Sequence, residues 1–165
     1  MPGAHDDGSV RRIALYGVGL LLASLLALSY AATSRAKTVG PISHTCSVTD
    51  RDFIETAKTN MTGIDLWGQQ YLAGDASAGD VAGQAGRAAR IVGGTAPTDP
   101  SLAKTRRLLV GMFTEYRKAM EQQSKHRDAG ADIFRAYGLA NFAHDVLVRA
   151  QPALAKRGCD VALLL

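Results

Sequence analysis

Cysteine is scarce in this chain, with two among 165 residues, and aromatic side chains make up only 6%. Two cysteines are too few for a disulfide-dense miniature scaffold. No Cys-x-x-Cys-His is present to attach a c-type haem covalently. No Glu-x-x-His pair occurs, so the signature of a carboxylate-bridged di-iron bundle is missing. Runs of alternating β-branched residues are absent as well, which argues against a sheet. Gly79, Gly83 and Gly86 are followed by no Gly-Lys-Ser/Thr and preceded by no strand pattern, so close helix packing is expected of them rather than a phosphate loop. Serines and threonines gather at expected caps and loops. The one adjacent base and acid, His144 and Asp145, would point about 100° apart on a helix and form no dyad. Nothing in these patterns calls for an enzyme, a bound cofactor or a metal.

Charge is balanced more than biased. Nineteen Lys and Arg face fifteen Asp and Glu, for a net +4 and an isoelectric point near 9.3. That excess is mild, and behind an apolar leader it does not suggest a nucleic-acid binder.

What the chain does have is one long uncharged run, IALYGVGLLLASLLALSYAA at 13–32. As a helix it would rise about 30 Å, the hydrocarbon thickness of a bilayer, whereas a signal-peptide core needs only about 7–15 residues. Tyr16 and Tyr30 suit the two headgroup levels. Gly19, Ala23, Ala27 and Ala31 draw a stripe of small residues along which another membrane helix could pack. The expected reading is a retained transmembrane signal-anchor. Cleavage after the small residues of Ser29-Tyr30-Ala31 or Ser34-Arg35-Ala36 is the alternative, and would make the protein secreted.

The positive-inside rule barely decides orientation, because Arg11 and Arg12 precede the run while Arg35, Lys37 and Arg51 follow it. The cysteines decide it. Cys46 and Cys159 bracket the region after the leader, and a disulfide between them implies an oxidising, extracytoplasmic location, periplasmic or cell-surface. The organisation read from these features is a cytoplasmic tail at 1–12, the membrane helix at 13–32, a tether at 33–45 containing Gly40 and Pro41, one domain at 46–159 and an apolar tail at 160–165.

Within 46–159 the pattern is all-α. Helix one is expected from a Thr49 cap to about Leu72, with Phe53, Ala57, Met61, Ile64, Gly68 and Tyr71 on one seam and Trp67 beside it. Helix two follows a Ser77/Asp80 capping box and stops at Gly93-Gly94, with a small-residue seam that includes Val81, Ala85, Ala88 and Val92. Asp99-Pro100 opens helix three, which turns Leu102, Leu109, Phe113, Tyr116 and Met120 inward and runs to about Lys125. A break at 128–130 introduces helix four, with Ile133, Tyr137, Ala140, Ala143, Leu147, Ala150 and Leu154 inward, a kink at Pro152 and an end at Gly158. Four such helices with short loops predict an up-down-up-down bundle, whose first and last ends lie together, where the cysteines are.

That topology also brings together Arg87, Arg90, Lys104, Arg106, Arg107, Arg149, Lys156 and Arg157 as a basic, membrane-proximal rim, suited to anionic lipid or an acidic partner. Val161 and the leucines that follow it are expected to be unburied there. The function expected from these features is a non-catalytic, membrane-anchored accessory or interaction subunit of an envelope complex, meeting a membrane-protein partner through its anchor. The alternative is an exported bundle that carries haem or a lipid-like ligand, with His144 and one of Met61, Met112 or Met120 as candidate haem ligands.

Overall fold

The computed structural model of the protein describes residues 45–165, and the anchor stripe of Gly19, Ala23, Ala27 and Ala31 lies outside them. The described chain is all-helical: α1 (Val48–Ala73), α2 (Ala78–Gly94), α3 (Pro100–Ser124), α4 (Gly130–Lys156) and a closing 3-10 turn (Ala162–Leu164). No helix among the described residues is long and apolar enough to cross a membrane.

Local chemistry explains where each helix starts and stops. The Ser77 hydroxyl accepts from the Asp80 N–H while the Asp80 carboxylate accepts from the Ser77 N–H, a reciprocal capping box that satisfies two otherwise orphaned donors. Asp99 caps α3 by accepting from the N–H groups of Ser101 and Leu102, with Pro100 at the first helical position. The cap of α1 is Ser47 rather than Thr49, because the Ser47 hydroxyl accepts from Asp50 N–H at 3.0 Å and starts the helix earlier. Gly74 and Gly158, at φ of 85° and 75°, close α1 and α4 with the paired backbone bonds of a Schellman turn. His126 does the same for α3 at φ 54°, where glycine would ordinarily stand.

The helices pack in a bundle, chiefly α1 on α2, α2 on α3 and α3 on α4, with a lighter α1–α3 contact. Phe53, Leu102, Phe113, Leu147 and Leu154 are almost fully buried at its centre, while Val81, Ala119 and Met120 form a second cluster against Trp67 and Tyr71. Of the three glycines in α2 expected to permit close packing, only Gly86 does so: a Cβ there would lie 3.1 Å from Arg117 Cδ, whereas Gly83 has open space around it. The equivalent approach between α3 and α4 is at Gly111, where a Cβ would meet Leu139 at 3.2 Å. Tyr137, expected inward, is 38% exposed, and Phe134 and Phe142 are more exposed still, at 76% and 62%.

One end of the bundle is tied covalently. Cys46 and Cys159 form a disulfide across 113 residues, with their Cα atoms 4.9 Å apart. The apolar tail is not left in solvent: Val161 and Leu164 are buried, and the closing turn packs on both α1 and α4. Val161 and Leu164, arriving just after the disulfide, find apolar walls within reach, so hydrophobic burial holds them there.

Candidate functional site

The disulfide end is a polar knot built on two carboxylates. Asp50, 3% exposed, accepts from the N–H groups of Thr98 (2.7 Å) and Asp99 (3.0 Å) and from the Thr98 hydroxyl (3.1 Å). Burial alone would push its carboxyl up, but the hydrogen bonds from Asp99, Ser47 and Thr98 outweigh burial and hold it below the usual aspartate range. Asp99 caps α3 with one oxygen and binds Arg157 with the other. Arg106 donates to the carbonyls of Gly93 (3.0 Å) and Thr95 (2.7 Å), which α2 leaves unpaired as it ends.

Two members of the expected basic rim, Arg106 and Arg157, are therefore engaged by protein groups at this end. Arg87, Arg90, Lys104, Arg107, Arg149 and Lys156 are exposed, with the Arg87 guanidinium also donating to Gln84. These six lie along the disulfide half of three different helices, α2, α3 and α4.

An apolar concave feature lies elsewhere. α1 and α4 are joined by the disulfide and the closing turn, and between them, over α3, runs an apolar groove holding about 120 Å³. Met61 and Ile64 form the α1 wall, Met112 and Phe113 the floor, and Ala136, Ala140, Ala143 and His144 much of the α4 wall. The row of alanines keeps that wall low, so the groove is open where a leucine seam would have closed it. On α4 it extends from Ile133 to Leu147, about 21 Å at 1.5 Å per residue, and Leu164 stops it at the disulfide end.

Polar groups are few around the groove. The Tyr116 ring lines it, but its hydroxyl is buried without a partner among the described residues, and burial together with Tyr71 and Asp65 pushes its pKa up to about 12. Burial likewise raises Asp65, against a hydrogen bond from Gln69. His144 lines the groove with its side chain 31% exposed, and its Nδ1 is 4.0 Å from Asp145 Oδ1, beyond hydrogen-bond length. No group of three or more His, Cys, Asp or Glu that could hold a metal occurs among the described residues. Of the methionines considered beside His144, Met61 and Met112 share its groove, while Met120 is buried in the second cluster.

Sequence reasoning foresaw the disulfide and missed the groove, whose signal was the alternation of alanine with bulkier residues on the α4 seam. Comparisons with protein-family models, curated proteins and solved structures find no match to the chain.

Proposed function

We propose that the protein is a non-catalytic, exported helical bundle, tethered to a membrane by residues 13–32, that holds an apolar ligand in the groove between α1 and α4. The observation that carries this reading is the groove itself, an apolar cleft with one partly exposed imidazole. A cavity of similar size lined by Leu, Ile and Phe, about 150 Å³, is known to stay dry and take up benzene, so apolar filling is favourable at this scale. The disulfide supports an oxidising location for the domain. The tether joins the described chain at the Cys46 end, which would set the six exposed cations toward anionic headgroups, each contributing up to about 1 kcal/mol.

The test is binding of an environment-sensitive apolar fluorophore to the full chain in lipid nanodiscs, compared with Ala140→Leu, which fills the groove. Saturable binding by the parent that the variant loses supports the reading. Equal binding by both, at the level of empty nanodiscs, contradicts it.

A second reading, an accessory subunit of an envelope complex held partly by the Gly19, Ala23, Ala27 and Ala31 stripe, is favoured by Phe134 and Phe142, exposed on α4 without a partner among the described residues. Recovery of a stoichiometric second protein in mild detergent, lost on Phe134→Ser with Phe142→Ser, would favour it over the carrier.

A further inference from the structure

The chain has four phenylalanines, and they divide evenly. Phe53 and Phe113 are fully buried, whereas Phe134 and Phe142 are 76% and 62% exposed, both on α4. They stand four residues on either side of Gly138, and the helix turns by only about 80° between them, so all three share one face. A Cβ at Gly138 would meet nothing within 4 Å. α4 packs chiefly on α3, with the closing turn at its end, and this outward face is open. Ala140, two residues from Gly138, is turned about 200° from it and lines the groove, so the two surfaces are separate.

The face is its own reverse. Reading 134–142, FRAYGLANF, backwards about Gly138 exchanges Phe134 with Phe142 and Arg135 with Asn141, which returns an aromatic, a polar flank, the glycine, a polar flank and an aromatic. A two-fold axis demands this of a surface that meets itself, since an isologous contact sets residue i against j and j against i. A surface that meets a different protein is under no such constraint. Rows of residues four apart are inclined about 26° to a helix axis, so two antiparallel copies of α4 crossing at about 50° bring their 134–138–142 rows into line. The glycines then stand at the crossing, where the absent side chains let the backbones approach, and each Phe134 meets Phe142 of the other copy as an aromatic pair. A two-fold axis also sets charges near their own copies. Arg135 is the one charged residue in 134–142, and Glu115, at 2.9 Å, and Asp132 neutralise it within its own chain, so no repulsion opposes the approach.

We propose that α4 is a homodimer surface, pairing antiparallel with α4 of a second copy across a two-fold axis at Gly138. At about 200 Å² for an open phenylalanine, Phe134 and Phe142 offer roughly 280 Å² per copy. For two copies that is under half of the ~1,200 Å² at which stable interfaces begin, so the contact needs its copies held close. A common membrane does this by raising the effective concentration. Residues 33–44 reach up to about 40 Å when extended, enough for both chains to enter one bilayer with α4 lying along its plane. The dimer thus rests on the membrane tether of the proposed function and not on the groove, and it makes the aromatic pair a contact between copies rather than a seat for another protein.

The two native cysteines are joined to each other, so an added cysteine is the one free thiol of the chain. Single-cysteine variants of the full chain are reconstituted into phosphatidylcholine vesicles and oxidised, with Leu66→Cys, exposed on α1, measuring random encounter. A disulfide needs Cα atoms within about 7 Å, and Gly138 is on the axis, so Gly138→Cys should link to itself. Phe134→Cys and Phe142→Cys should each give little product alone, because the two copies of either residue lie about 12 Å apart along the helices. Mixed in the same vesicles they should give at least about ten times the product of either alone. Gly138→Leu adds a side chain in open space, so its melting temperature should not fall, yet in both chains of the mixed pair it should abolish the cross-link. A mixed yield no greater than that of Leu66→Cys, a Phe134→Cys that links to itself as readily as to Phe142→Cys, or a mixed cross-link that survives Gly138→Leu overturns the proposal. Carbonate extraction of the same vesicles separates the failures: a chain that stays in the membrane without linking loses the dimer and keeps the tether, whereas a chain that washes off overturns both.

Discussion

Asp50 links α1 to the loop that opens α3, and it does so as a buried carboxylate with three donors, from Thr98 and Asp99. Replacing it by alanine strands the buried N–H of Asp99 and the part-buried N–H of Thr98, so Asp50→Ala should destabilise by about 2–3 kcal/mol in urea unfolding. Its folded pKa lies below that of the unfolded chain. The stabilisation is therefore present in full above the unfolded value near 3.9 and is lost as pH falls through the lower folded value. Asp50→Asn should flatten the loss of stability below about pH 4 that the parent shows; an unchanged acid limb would place that loss on other groups. Thr105 presents the opposite case, for it is fully buried and its hydroxyl has no partner among the described residues. Thr105→Val keeps the shape and removes the unsatisfied group, so it should be neutral or stabilising by up to about 1 kcal/mol, and a loss of more than that would mean that the hydroxyl is satisfied in solution.

At the scale of elements, the helix ends were legible because capping is local: Ser77 with Asp80, Asp99 with Pro100, and Gly158 each carry their geometry in a few adjacent residues. The α1 cap lies two residues before the Thr49 that the sequence suggests, because Ser47 and Thr49 offer the same hydroxyl chemistry and only the accepted Asp50 N–H distinguishes them. The glycines of α2 were read alike, yet their neighbours differ. Gly83 faces open space, so Gly83→Ala should stabilise by about 0.5–1 kcal/mol through helix propensity. Gly86→Ala should gain less or lose, because its Cβ meets Arg117, and thermal unfolding of the two variants side by side checks the contrast. The groove was not legible, since it depends on the separation of α1 and α4, helices far apart in sequence whose relation no local pattern reports. The same holds for the tail, because no local pattern reports the burial of Val161 and Leu164 or the packing of the closing turn on those helices.

For the whole molecule, the disulfide does two things at once. It closes a loop of 113 residues, which in the chain-entropy model stabilises by up to about 5 kcal/mol, and it holds α1 beside α4 at the foot of the groove. Reduction should lower Tm by on the order of 10 °C while helix content at low temperature is kept, and a melting curve indifferent to reductant would contradict that role. On the proposed reading the closed end and the open groove above it hold something apolar, and that proposal meets its most direct test in the protein from its own cells. Native mass spectrometry of the full chain released from nanodiscs should show a small-molecule mass excess, present in the parent and absent from Ala140→Leu. A parent chain that carries no such excess, or one that Ala140→Leu retains in full, would contradict the account.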